Sequence, residues 1–131
     1  MSANTPDRIY TENHVWLTLQ AEQVFTLGIT EYAQQQLGDI VFADLPELGA
    51  STHAGTACLV VESVKSASDV ICPVNGEIIE VNTRLADEPE LINESPYDKG
   101  WIVKIKVAED HVIEGKMTSD EYNGQMVNSS K

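Results

Sequence analysis

Hydrophobic and polar positions alternate over short runs along most of this chain, and that period of two predicts a mainly β protein. Tyr10 to Leu19 reads as one strand, with the alternation clearest toward its end, and Gln23 to Gly28 reads as a second. Thr30 to Gly38 breaks the pattern. Thr30 suits an N-cap, Glu31 puts an acid in the first turn, and Gly38 stands just past the last turn. The punctuation predicts a single short helix over 30–37.

From Gly38 onward one pattern occurs twice. The first copy opens Gly38-Asp39-Ile40-Val41-Phe42, turns at Leu48-Gly49, passes Gly55 and closes on Ala57-Cys58-Leu59-Val60-Val61. The second opens Gly76-Glu77-Ile78-Ile79-Glu80-Val81, passes Gly100 and closes on the strand-like run from Trp101 to Val107. The two glycines are 17 positions apart in the first copy and 24 in the second, which puts an insertion between Leu85 and Asp98, where the residues have loop chemistry. Two copies are too few for a solenoid and suit a pseudo-twofold arrangement of short strands in two sheets. Thr118-Ser119-Asp120-Glu121-Tyr122 reads as a helix start and the polar end as fraying. Residues 1–131 are therefore expected to form one domain, with a core over about 9–107 and a short helical C-terminal extension over 108–131.

Between the copies two β-rich runs flank Glu62-Ser63-Val64-Lys65-Ser66-Ala67-Ser68-Asp69. This reads as a hairpin with Lys65 at its tip, and Lys65 is the only lysine from His53 to Val74 and beyond to Pro96. A lysine at a tip is usually a solvated charge. Here it stands at the midpoint of the repeat, on a tip held by rigid strands, where a long tether is best mounted. Its ε-amine can be acylated, its stem lengthens the reach of the attached group, and the serines around it keep the tip small. Cys58 and Cys72 lie at equal distances on either side. A hairpin centred on Lys65 sets them face to face; one centred between Val64 and Lys65 sets Cys58 opposite Ile71, with the two cysteines on opposite faces. The second register, with no bond, is the expectation.

Charge and composition narrow the function. Twenty-one acidic residues against eight basic ones give a net charge of −13, which argues against nucleic-acid binding and suits a soluble, monomeric carrier steered toward basic surfaces. No apolar run approaches a membrane span, and the first residues resemble neither a secretory signal nor a transit peptide, so a cytoplasmic location is expected. His14, His53 and His111 lack metal-ligand spacing. Cys58 with His53 is the one conceivable nucleophile and base, but Cys58 sits in a core-like apolar run, and no phosphate loop or carboxylate pair is present. The expectation is a protein with no catalytic residue of its own.

The segment Glu62 to Asp69, followed by Pro73-Val74-Asn75-Gly76-Glu77, resembles the lipoyl-attachment segment of the glycine cleavage system H proteins. The resemblance continues in order through Gly28-Ile29-Thr30-Glu31-Tyr32-Ala33-Gln34, Leu37-Gly38-Asp39-Ile40-Val41-Phe42, Leu45-Pro46-Glu47-Leu48-Gly49, Glu80-Val81-Asn82, Leu91 to Tyr97 and Gly100-Trp101. It implies a lipoyl-domain-like barrel-sandwich hybrid and a covalent lipoate in amide linkage on Lys65, with Glu62, Ser63, Val64, Ser66 and Asp69 recognised during modification or by the arm. It also implies a shuttle. A pyridoxal-phosphate glycine decarboxylase loads the arm with an aminomethyl group, and a tetrahydrofolate-dependent aminomethyltransferase unloads it. An FAD-dependent dihydrolipoyl dehydrogenase reoxidises it, and lipoyl- or octanoyl-transferring enzymes install it. The loaded arm of such proteins folds into a cleft that shields its cargo from water.

One departure bears on that cleft. The family usually has His-Glu-Trp near its first strand, with the acid close to the aminomethyl group, whereas this chain has His14-Val15-Trp16. Glu12 or Asp69 is the expected substitute, and Glu12, His14 and Val15 are the candidates for the docking cleft. Two related carriers fit less well. Lipoyl domains of 2-oxo-acid dehydrogenases carry Asp-Lys-Ala and lack the 30–37 helix, and biotin carriers flank their lysine with methionines. An H-like relay of lipoyl or octanoyl groups to other complexes is the alternative function.

Overall fold

The computed structural model describes residues 8–11, 13–21, 23–107, 117 and 121–122. The stretch expected to form one strand is divided into β1 (Ile9–Tyr10) and β2 (Val15–Ala21). Between them the chain turns at Thr11, whose carbonyl accepts from the His14 N–H at 3.0 Å, with His14 at φ +64°. A positive φ on a non-glycine residue leaves no mark in the hydrophobic pattern, which is why the break was not foreseen. The next elements are β3 (Val24–Ile29) and α1 (Glu31–Leu37). The helix ends as its punctuation predicts: the Thr30 side chain accepts from the Ala33 N–H, and the Gly38 N–H donates back to the Gln34 carbonyl, with Gly38 at φ +83°.

β4 (Ile40–Asp44), β5 (Ser51–Thr52) and β6 (Thr56–Ser63) complete the first copy, and β7 (Ala67–Cys72) follows. The second copy holds β8 (Gly76–Val81) and β9 (Val103–Val107). Its insertion, expected as irregular loop, contains two single-turn helices, α2 (Arg84–Asp87) and α3 (Leu91–Glu94). Four residues are too few to show a helical period. Strands order β1-β2-β3-β9-β8-β5 in one sheet and β4-β6-β7 in the other. One cluster of buried side chains lies between them, including Val15, Leu17 and Leu27 from the first, Val61, Val70 and Cys72 from the second, and Leu85 and Ile92 from the insertion. β9 shows the alternation plainly, with Val103, Ile105 and Val107 buried and Lys104 and Lys106 less so.

The repeat reaches the level of single residues. In each copy the opening strand pairs antiparallel with the closing one, β4 with β6 and β8 with β9. Each opening strand bulges at the same place, Val41 in the first and Ile79 in the second. Both bulged residues are exposed, at 54% and 42%.

At its tip the β6–β7 hairpin has the expected register, with Glu62 opposite Ala67 and the turn centred between Val64 and Lys65. Further down, the expected pairing of Cys58 with Ile71 does not hold. β6 bulges between Ala57 and Leu59, so Ile71 faces Ala57 and Cys58 is the extra residue. The bulge turns Cys58 inward against the cluster that contains Cys72, so the two cysteines share a face. Both are free thiols. A bulge depends on both strands and on what packs beneath them, and neither is visible in one strand's alternation.

Candidate functional site

Lys65 is exposed at the end of the β6–β7 hairpin. Ser63 builds the turn beneath it. Its Oγ accepts from the N–H of Lys65 and of Ser66, both at 3.1 Å, and donates to the Ser66 carbonyl at 3.1 Å. The Ser63 N–H closes the turn on the Ser66 carbonyl at 2.8 Å. The Val64 N–H donates to the Asp39 carbonyl at 3.0 Å, so the corner after α1 buttresses the tip. Every main-chain donor from Ser63 to Ser66 thereby has a partner without a bulky side chain near the lysine. Val64 points outward, 67% exposed. Glu62 and Ser66 are exposed on either side.

Gly38 borders the lysine stem: a Cβ added there would lie 3.4 Å from Lys65 Cε. Asn93 of α3 holds this corner. Its amide N donates to the Gly38 carbonyl at 2.9 Å and to Gln34 Oε1 at 2.8 Å, and its Oδ1 accepts from the Ile40 N–H at 2.8 Å. Asn93 belongs to the inserted segment, far from the tip in sequence, and no local pattern marked it.

Beside the hairpin lies a cleft of about 270 Å³. One wall is hairpin, with Val61, Ser68, Asp69 and Val70; another is the α1 face of Tyr32, Ala33, Gln36 and Leu37; Asn13, His14, Val15 and Ile29 complete it. The structure thus brings His14, Val15 and Asp69 together around one cavity, while Glu12 lies outside the described residues. Val15 is fully buried in the cleft wall. The apolar lining and polar rim suit an aliphatic chain with a polar end, and the hairpin that bears Lys65 supplies part of the wall.

The far end of the cleft is tied to the C-terminal segment. His14 Nδ1 and Thr30 Oγ1 each lie 2.7 Å from the Tyr122 hydroxyl, and Tyr122 stacks on Tyr10 with ring centroids 5.0 Å apart. Burial lowers the His14 pKa from its usual value and pushes that of Tyr122 up to about 12. A neutral imidazole accepting from Tyr122, and Tyr122 accepting from Thr30, satisfies all three groups. Within the expected C-terminal helical region the Glu121–Tyr122 pair is helical, whereas Met117 forms an isolated antiparallel bridge with Tyr10; the rest of the region lies outside the described residues. The sequence singled out His14, Thr30 and Tyr122 separately, for the cleft, the N-cap and a helix start, and gave no signal that they meet.

The glycine cleavage H-protein family model matches residues 8–129. Glycine cleavage system H proteins of Escherichia coli O7:K1 and Marinobacter nauticus are 50% and 48% identical to this chain, over 92% and 93% of it and 94% of each relative. The crystal structure of a glycine cleavage system H protein from Mycobacterium marinum superimposes with a TM-score of 0.86 at 38% identity, covering 94% of this chain and 98% of that one.

Proposed function

The chain belongs to the glycine cleavage H-protein family, and from that premise we propose that Lys65 is the residue acylated with lipoate and that the cleft beside it receives the arm. The protein is the lipoyl carrier of the glycine cleavage system. When attached, the lipoyl group supplies a dithiolane that accepts the aminomethyl unit of glycine. The observation that carries the assignment to Lys65 is the turn geometry, in which Ser63 and the Asp39 carbonyl satisfy the backbone and leave the lysine exposed.

The residues divide the work. Ser63 and Ser66 shape a tip narrow enough to enter a modifying enzyme, and Glu62 and Val64 give that enzyme a charge and an apolar contact to recognise. Gly38 leaves room for the stem to lie along the end of α1, toward the cleft. Val15, Val61 and Val70 exclude water from whatever the arm carries. Asp69, at the rim, is the carboxylate of the cleft lining and the partner for a cationic cargo. The carrier itself has no catalytic residue and acts as one domain, visiting the glycine decarboxylase, the aminomethyltransferase, the dihydrolipoyl dehydrogenase and the lipoyl- or octanoyl-transferring enzymes in turn. Among the described residues no helix is long and apolar enough to cross a membrane; we assign the protein to the cytoplasm.

Intact-mass measurement after expression with lipoate and an active ligase tests the attachment site. One lipoyl increment is expected, and Lys65→Arg should abolish it without altering the far-ultraviolet circular dichroism. An increment that survives in Lys65→Arg overturns the assignment.

Val15 favours a second reading, a relay handing lipoyl or octanoyl groups to other complexes, because an apolar wall suits an uncharged acyl chain. Val15→Glu separates the two. In a carrier of cationic cargo the variant should retain the loaded arm longer, read as slower ammonia release, at a stability cost of about 3–5 kcal/mol while the buried carboxylate has no cation beside it. An unchanged lifetime favours the relay.

A further inference from the structure

The hydrogen bonds at the far end of the cleft run in one direction, and that direction fixes a proton on His14. Thr30 is fully buried, and among the described residues its Oγ1 has two hydrogen-bond partners, the Ala33 N–H and the Tyr122 hydroxyl. An amide N–H only donates, so the Thr30 hydrogen goes to the Tyr122 oxygen. The Tyr122 hydrogen then goes to His14 Nδ1, the other polar atom at 2.7 Å from that hydroxyl. Were Nδ1 protonated instead, the Tyr122 hydrogen would be stranded on a residue only 3% exposed, and an unmade bond costs most where water cannot replace it. Nδ1 is therefore an acceptor, and the neutral imidazole carries its proton on Nε2. Burial favours the same arrangement, keeping His14 neutral and Tyr122 protonated.

Tyr122 reaches this position through Tyr10. Met117 pairs with Tyr10 by two main-chain bonds of 2.8 and 2.7 Å, and the Tyr122 ring stacks on Tyr10 with planes 20° apart. The His14 ring packs on Tyr32 with centroids 4.8 Å apart, and both residues line the cleft. With Nδ1 engaged, Nε2 is the polar atom that His14 has left for that cavity. On the premise of the arm and cleft assigned above, we propose that Tyr122 is a positioning residue: it fixes His14 as an Nε2–H donor, and that donor holds the free sulfur of the loaded arm. Opening the dithiolane leaves one sulfur bearing the aminomethyl ammonium and the other as a thiol. A neutral imidazole N–H suits the lone pairs of the thiol sulfur and repels an ammonium, whereas the Asp69 carboxylate in the same lining attracts the ammonium. The two ends of the cargo are thereby told apart, and the arm lies in one orientation. The opposite tautomer would present an acceptor and compete with Asp69 for the cation.

The tautomer is read from long-range proton–nitrogen correlation spectra of the unlipoylated protein at about pH 8, above the usual histidine pKa. The expected result is an Nε2–H imidazole alone, assigned to His14 by the loss of its signals in His14→Gln. Tyr122→Phe keeps the ring that stacks on Tyr10 and removes the hydroxyl, and a measurable share of the Nδ1–H form should then appear. An Nδ1–H form in wild type overturns the proposal whether or not the variant folds, and so does an unchanged pattern in a folded Tyr122→Phe. The arm is read on protein whose lipoyl increment has been confirmed by intact mass, loaded with glycine by glycine decarboxylase. Loading should move the His14 Nε2 resonance in wild type, and Tyr122→Phe should release ammonia about two- to tenfold faster, the worth of one hydrogen bond. A resonance indifferent to loading, or release at the wild-type rate, overturns the proposal. A missing increment refutes the attachment at Lys65 and this role with it, so the mass tells the two failures apart.

Discussion

Two connections between antiparallel strands are built on opposite plans. The β6–β7 turn is short and exposed, held by Ser63 and by one bond to the Asp39 carbonyl. The β8–β9 connection is long and anchored at many points. Leu85, Leu91, Ile92 and Ile102 are buried, and the Asn82 side chain donates to the Lys99 and Trp101 carbonyls at 2.9 and 2.7 Å. Gly100 lets the chain pass so close that a Cβ there would stand 2.6 Å from the Leu91 carbonyl oxygen. The difference separates stability from accessibility. The inserted segment carries apolar burial and, through Asn93, steadies the corner beneath the tip; the tip contributes little burial and stays open to enzymes.

That division is easiest to break at Ile92. Ile92→Ala should lower unfolding free energy by about 2–5 kcal/mol in urea denaturation, whereas Val64→Ala should change it by no more than about 0.5 kcal/mol. Comparable losses at the two positions would erase the distinction. Ser63→Ala sharpens it within the tip. Its global cost is expected to be about 1 kcal/mol or less, because water can satisfy the exposed donors, yet acylation of Lys65 by the ligase should slow as the turn loosens. An unchanged modification rate would mean that turn geometry does not matter to the ligase.

The smallest effect is expected at His14, where the cleft meets the aromatic residues that border the inserted segment. Its folded pKa lies below that of the unfolded chain, so between the two values the unfolded state binds more protons. The contribution of His14 to stability is thus complete above about pH 6.5 and lost as pH falls through the folded value. Stability measured against pH should therefore decline on acidification in wild type, with a shallower slope in His14→Gln. Equal slopes would place the titration elsewhere.

Much of the scaffold was legible in the chain because its signals are local. Thr30 and Gly38 bound α1, the strand-like run from Trp101 to Val107 contains β9, and the repeated Gly-acid-Ile openings mark strands that pair and bulge alike. Lys65 was legible as a tip because small and polar residues interrupt two apolar runs. What escaped depends on partners distant in sequence. The bulge at Cys58 needs β7, the Gly38 corner needs Asn93, and the cleft needs walls from four separate segments. The positive φ of His14 escaped for a different reason, since it depends on backbone geometry that hydropathy does not report.

The bulge at Val41 has a consequence for behaviour in a crowded solution. β4 is an outer strand beside the Lys65 hairpin, and a straight outer strand offers its unpaired main-chain groups to the same strand of another molecule. The extra residue twists that edge out of line, and the exposed carboxylates of Asp39 and Asp44 stand at its two ends. The outer strand beside the Lys65 hairpin is thereby made a poor template for pairing with the same strand of another molecule.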